Sequence, residues 1–216
     1  MTEFYKNIGE IAVYLYPAIA IIYSISLKNK NKAYRIFTLY LITMALVQLG
    51  AFYVGRGGLG KPNLYFSHFY HISQFFLLSI FYFQLLQKKI VKIFMIPVAL
   101  FLIFQFVYDP GIFLVYNPLG MTITQTILVI YAILYLYKTL QGKSEFIITN
   151  IGLLVYLLSS TLIFASGNLV LNLEIPEKTK FLLINVNRIL VVVFQVLLLI
   201  EWWQNYSNFK PLKEKN

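Results

Sequence analysis

Apolar residues follow one another along this chain in long runs that short polar stretches interrupt. A helix crosses the hydrocarbon core of a membrane with about 20 mostly apolar residues. The windows that meet this requirement are 8–27, 34–55, 64–87, 90–108, 119–140, 147–172 and 181–203. Because the runs lack the two-residue alternation of membrane barrel strands, the pattern predicts an all-α integral membrane bundle of seven transmembrane helices.

The count of seven depends most on the third and fourth windows. Only Lys88 and Lys89 separate them, and window 90–108 is the shortest of all. A six-span bundle is therefore the alternative. The connections are too short to fold alone, so residues 1–216 are interpreted as one transmembrane domain with a short polar tail, 204–216.

The composition agrees with a lipid environment. The chain is 59% hydrophobic and 12% charged, whereas soluble domains carry about 25% charged residues. It has no cysteine, which excludes disulfides, thiolate metal sites and cysteine nucleophiles. The net charge of +10 lies in short loops between apolar runs, so we expect the lipid bilayer, and not nucleic acid, as the partner of these charges.

Basic residues are unevenly distributed between the two ends of the predicted bundle. Twelve fall on the side of the chain's carboxyl end: Lys28, Lys30, Lys32, Arg35, Lys88, Lys89, Lys92, Lys138, Lys143, Lys210, Lys213 and Lys215. Five fall on the opposite side: Lys6, Arg56, Lys61, Lys178 and Lys180. Cytoplasmic loops carry the excess of Lys and Arg. The distribution predicts a multi-pass inner (plasma) membrane protein with its N-terminus outside and its C-terminus in the cytoplasm.

Polar side chains inside the predicted spans concentrate in the outer half of the bundle. Arg188 is the most demanding, because its guanidinium stays charged and must face a partner or a wet cavity. A closed seven-helix ring would place the first span, with Glu10, beside the seventh. We expect an outward-opening pocket that binds an anionic or carbonyl-bearing ligand through these residues: Arg188, Asn187, His71, Gln74, Gln125, Asn168 and Glu10. The alternative is that these groups hydrogen-bond to one another between helices.

The titratable residues give little support to metal or acid–base chemistry. His68 and His71 lie three residues apart on one helix face, but zinc sites usually have at least three protein ligands. We expect interfacial hydrogen bonding from the pair and predict no metal or other cofactor. The apparent lack of acids within the spans argues against a hydrolytic enzyme.

Several segments resemble a family of multi-span membrane proteins of Bacteroidota. The resemblance lies in Asn63-Leu64-Tyr65 continuing through His71-Ile72-Ser73-Gln74-Phe75, in Leu85-Leu86-Gln87-Lys88, in Phe164-Ala165-Ser166-Gly167-Asn168 and in Trp202-Trp203. In that family an acid often stands near the position of Gln74. The resemblance implies no assigned activity. Because some relatives lie near sensor-kinase genes, it suggests a sensory or accessory role.

The leading hypothesis is a sensory or accessory membrane protein that binds a small or lipid-like ligand and acts with a partner membrane protein. A small-solute carrier is the first alternative, since spans two to three and six to seven share a loose outline around Gly55 and Gly167. A membrane-embedded lipid-modifying enzyme is the second, and the pattern favours it least.

Overall fold

The structure, a computed structural model, describes residues 2–57, 63–115, 117–140, 142, 145–165 and 177–207. Every regular element in these ranges is helical, which confirms the all-α prediction. The α-helices are α1 Thr2–Ile25, α2 Lys32–Phe52, α3 Tyr65–Leu86, α4 Ile90–Tyr108, α5 Pro118–Thr139, α6 Ile147–Ala165 and α7 Glu177–Asn205. A π-helix, Tyr53–Gly57, continues α2, and a 3₁₀ helix, Pro110–Leu114, follows α4.

Six of the described helices are long and apolar enough to cross a membrane: α1 to α5 and α7. The sixth helix is apolar over Ile147–Ile163 but shorter by this measure. Its predicted window, 147–172, continues into residues outside the described ranges. In the described part of the chain, length and composition therefore give six membrane-crossing helices where the sequence predicts seven.

Asparagine side chains set the starts of two helices. The Asn31 side-chain oxygen accepts a hydrogen bond from the Tyr34 amide at 2.8 Å and begins α2. Asn117 accepts from the Gly120 amide at 2.9 Å and begins α5, with Pro118 in the first helical position. Both residues satisfy backbone N–H groups that a helix start otherwise leaves unpaired.

Six of the described helices form a closed ring and α4 lies outside it, which corrects the expected seven-helix ring. The order around the ring is α1, α2, α3, α5, α6 and α7, and α7 packs against α1. The predicted neighbourhood of the first and last spans is therefore observed. Among the described elements, helix α4 packs on α3, on α5 and on the 3₁₀ helix that follows it, and its buried side chains are Val91, Val98 and Leu102.

Hydrogen bonds between helices give their relative directions. Gln195 donates to the Ala12 carbonyl at 2.8 Å and Trp202 donates to the Ser26 hydroxyl at 3.0 Å, so α1 and α7 are parallel. Asn150 donates to the Ala132 carbonyl at 3.1 Å near the start of α6. Further along α6, Thr161 donates to Gln125 near the start of α5, so α5 and α6 are antiparallel. We call the end where α1 begins the N-terminal end, and the end where α1 stops and α2 begins the Lys-rich end.

The exterior of the bundle is strongly apolar. On α4 alone, Ile96, Phe104 and Val107 are 64%, 64% and 75% exposed. Soluble monomers rarely expose contiguous apolar patches of more than a few hundred Å². This surface belongs in lipid, which makes the chain a helical membrane protein.

Candidate functional site

A cavity of about 280 Å³ lies between α1, α2 and α7 at the N-terminal end of the bundle. We call it the Arg188 pocket. Its polar lining residues are Glu10 from α1, Gln48 from α2, Asn63 from the segment before α3, and Asn187 and Arg188 from α7. Three of the residues predicted from the sequence, Glu10, Asn187 and Arg188, thus meet at one cavity.

The Arg188 side chain is half-buried and lies across the backbone of α1. Its Nη1 donates a hydrogen bond to the Asn185 side-chain oxygen at 3.1 Å, which fixes one edge of the guanidinium. A Cβ atom added at Gly9 would lie 3.3 Å from Arg188 Nε and 3.5 Å from Cδ. Glycine at position 9 therefore provides the room in which the arginine packs.

The pocket combines a cation with groups that accept hydrogen bonds. The Asn187 side-chain oxygen is buried and has no hydrogen-bond partner among the described residues. A buried polar group without a partner costs about 1–3 kcal/mol, so this oxygen favours a bound donor. Arg188 can donate hydrogen bonds to an anionic or carbonyl oxygen of a ligand. Asn187 and Glu10 can accept hydrogen bonds from N–H or O–H groups of the same ligand.

Sequence reasoning did not select Gly9, Gln48 or Asn63 for the site. Gln48 lies in the outer half of the predicted span 34–55, and this position was the signal that could have identified it. Asn63 donates to the Ala51 carbonyl at 2.8 Å and so ties the segment before α3 to the end of α2. The adjoining π-helix at Tyr53–Gly57 is a form often found at functional sites.

The other predicted site residues do not line the Arg188 pocket. Gln74 is fully buried and donates to the Tyr40 hydroxyl at 3.3 Å. Gln125 accepts from Thr161 at 3.2 Å, and the His71 Nδ1 lies 2.6 Å from the Ser67 carbonyl oxygen. The contacts of Gln74 and Gln125 are interhelical, as the alternative expects, whereas that of His71 lies within α3. Asn168 lies outside the described residues.

The two histidines contact each other but each ring also bonds to the backbone. Their ring centres are 5.6 Å apart, and the His68 Nε2 lies 2.9 Å from the Val115 carbonyl oxygen. Within the described ranges, no group of three or more His, Cys, Asp or Glu side chains is placed to hold a metal ion.

Tyrosine hydroxyls meet in the centre of the ring, deeper than the Arg188 pocket. The Tyr70 hydroxyl lies 3.4 Å from that of Tyr16 and 3.3 Å from that of Tyr156, which links α3 to α1 and α6. Tyr156 also stacks on Phe194 of α7, with ring centres 5.6 Å apart. Large aromatic side chains therefore fill the axis of the bundle.

Glu201 corrects the expectation that the spans contain no acid. It lies in α7, inside the membrane-crossing range Phe181–Asn205, and is fully buried. Its Oε2 accepts hydrogen bonds from the Ile148 and Thr149 amides at 2.9 and 3.1 Å, and its Oε1 accepts from Asn205 at 2.5 Å. The carboxylate thus caps the start of α6, where the helix dipole favours negative charge.

The fold and its apolar surface define the class as a helical membrane protein with a polar pocket at its N-terminal end. Comparison with protein-family models, with curated proteins and with solved structures finds no match to this chain. We therefore infer the function from the residues that line the Arg188 pocket.

Proposed function

We propose that this chain is a sensory or accessory protein of the bacterial inner membrane that binds a small anionic or carbonyl-bearing ligand from outside. The observation that carries the proposal is the Arg188 pocket, which joins Arg188, Asn187 and Glu10 in one cavity of about 280 Å³. This volume is close to the lower end of the range for small-molecule sites, about 300–1,000 Å³. A compact metabolite fits it better than an extended lipid.

We propose seven spans, with the N-terminal end outside. The antiparallel packing of α6 on α5, from Asn150 to Thr161, favours a sixth crossing. An odd number of crossings puts the two ends of the chain on opposite sides. The excess of lysines at the Lys-rich end then favours a cytoplasmic C-terminus.

The packed axis of the bundle favours binding over transport. A carrier exposes its site alternately to both sides by moving repeats against each other. Below the Arg188 pocket, the path is occupied by the buried Tyr16 and Tyr156, the partly buried Tyr70 and the stacked Phe194. Their hydroxyl contacts connect helices that such a motion would separate.

Ligand-dependent stabilisation tests the proposal. Acetate, succinate, glutamate and inorganic phosphate are added separately to the detergent-purified protein, and its thermal unfolding is followed. A ligand at 100 times its Kd stabilises a protein by about 2.7 kcal/mol, which corresponds to about 5–10 °C in a chain of this size. We expect Arg188→Gln and Gly9→Leu to abolish the shift, because one removes the cation and the other fills its space.

Arg35→Gln is the matched control, since it removes an exposed arginine at the Lys-rich end. We expect it to respond like the wild type. If Arg188→Gln also keeps the full shift, the pocket is not the binding site and the proposal fails. Uptake of the stabilising compound into proteoliposomes would instead favour a carrier.

A further inference from the structure

An apolar groove of about 430 Å³ opens between α3 and α4 at the Lys-rich end. Its walls are Ile80 and Phe83 of α3 and Met95 and Ile96 of α4. The groove exists because α4 lies outside the ring and leaves one flank of α3 uncovered. It therefore faces the part of the bilayer that acyl chains occupy.

Two lysines line this groove, one from α2 and one from α4. Lys32 is the first residue of α2, and Lys92 lies in the first turn of α4. The Lys92 ammonium sits 4.3 Å from the centre of the Phe83 ring, a cation–π contact that holds it over the groove. Positive charge and apolar walls are thus combined in one depression.

A second cavity, of about 390 Å³, adjoins the groove and shares Lys32 and Gln84 with it. It adds Lys138, whose ammonium donates to the Leu85 carbonyl at 2.6 Å, and Glu145. The Glu145 carboxylate accepts from the Asn31 side chain at 2.5 Å. Three ammonium groups and one carboxylate therefore line the two neighbouring cavities, and positive charge prevails.

We propose that the groove is a binding site for one anionic phospholipid of the leaflet at the Lys-rich end. An acyl chain lies along Phe83, Met95 and Ile96, and the phosphate lies between Lys32 and Lys92. Basic pockets between transmembrane helices are known to bind anionic head groups. The site is separate from the Arg188 pocket, which lies at the other end of the bundle.

The groove distinguishes these lysines from the general excess of positive charge. Lys88 and Lys89 are also exposed at this end, on the connection between α3 and α4, but they line neither cavity. If charge alone attracted lipid, all four lysines would contribute alike. The structure assigns a larger contribution to lipid affinity to Lys32 and Lys92 than to Lys88 and Lys89.

Native mass spectrometry of the detergent-purified full chain tests the site. The protein is titrated with phosphatidylglycerol and, separately, with phosphatidylcholine. We expect one phosphatidylglycerol molecule to bind more tightly than phosphatidylcholine. A lysine near an anionic surface contributes about a factor of five in affinity, so Lys32→Gln with Lys92→Gln should weaken binding about 25-fold. Lys32→Arg with Lys92→Arg should keep it.

Lys88→Gln with Lys89→Gln is the matched control, since it removes the same charge at the same end, and we expect a change of less than about threefold. Met95→Trp should weaken binding at unchanged charge, because it fills the groove. Circular dichroism and gel filtration establish that each variant is folded. Equal preference for both lipids, equal loss in the two glutamine pairs, or full binding by Met95→Trp would each overturn the proposal.

Discussion

Replacement of Glu201 by leucine is expected to destabilise the bundle by about 3–6 kcal/mol, since two hydrogen bonds to a charged group contribute about 1.5–3 kcal/mol each. The Ile148 and Thr149 amides, which now donate to the Glu201 carboxylate, would be left without that acceptor at a partly buried helix start. Lipid offers such amides no substitute. Thermal or denaturant unfolding of the detergent-purified protein measures the loss.

Glu201→Gln separates the capping role from mere burial of a long side chain. The amide oxygen of glutamine can still accept from both N–H groups, but without the negative charge. We expect it to lose less than half as much stability as Glu201→Leu. Amide hydrogen exchange at Ile148 and Thr149 should follow the same order. A leucine variant as stable as the wild type would show that Glu201 does not cap α6.

Replacement of Phe146 by alanine should cost about 3–5 kcal/mol, as is typical when a buried phenylalanine is truncated. Phe146 is fully buried at the Lys-rich end, just before α6. Its ring centre lies 5.1 Å from that of Phe81, 5.2 Å from Tyr206 and 5.6 Å from Phe37. The ring thus connects α2, α3 and the residue that follows α7.

The backbone of Phe146 is in a strained conformation, and the packing of its ring stabilises the fold enough to offset that strain. Its φ angle is 59°, a left-handed conformation that is unusual for a bulky residue and costs of the order of 1–3 kcal/mol. Alanine would keep that strain and lose the ring contacts that offset it. Phe104→Ala on the lipid-facing side of α4 is the matched control, and we expect a change below about 0.5 kcal/mol. Similar losses in both variants would contradict this account.

The helices themselves could be predicted because lipid imposes a simple rule. Backbone groups cannot hydrogen-bond to lipid, so long apolar runs must be helical. Window 90–108 coincides with α4, and window 64–87 differs from α3 by one residue at each end. The packing of α7 beside α1 could also be predicted, because a closed ring brings its first and last helices together. The position of α4 outside the ring could not be predicted, because both the core and the exterior of a membrane bundle are apolar.

Only part of the candidate site could be predicted, and for a physical reason. Depth along a predicted span can be read from the sequence. It places Arg188, Glu10 and Asn187 at one end of the bundle, and they line the same pocket in the structure. Depth does not tell which side of a helix a residue faces relative to distant helices. Gln74 and Gln125 have the appropriate depth but hydrogen-bond to other helices, and His71 bonds to the backbone of its own helix. Glu201 stands inside the predicted window 181–203 and was overlooked there. Its capping role could not be predicted, because it depends on the Ile148 and Thr149 backbone amides, which leave no pattern in the sequence.

The central claim is that the Arg188 pocket opens to the outside of the cell, and single-cysteine labelling tests it most directly. The chain has no cysteine of its own, so Asn187→Cys introduces one thiol in the pocket. Lys88→Cys places one at the Lys-rich end. A membrane-impermeant thiol reagent is added to intact spheroplasts. The account predicts that Asn187→Cys is labelled at once and Lys88→Cys only after permeabilisation; the reverse pattern, or no labelling of Asn187→Cys from outside, would contradict it.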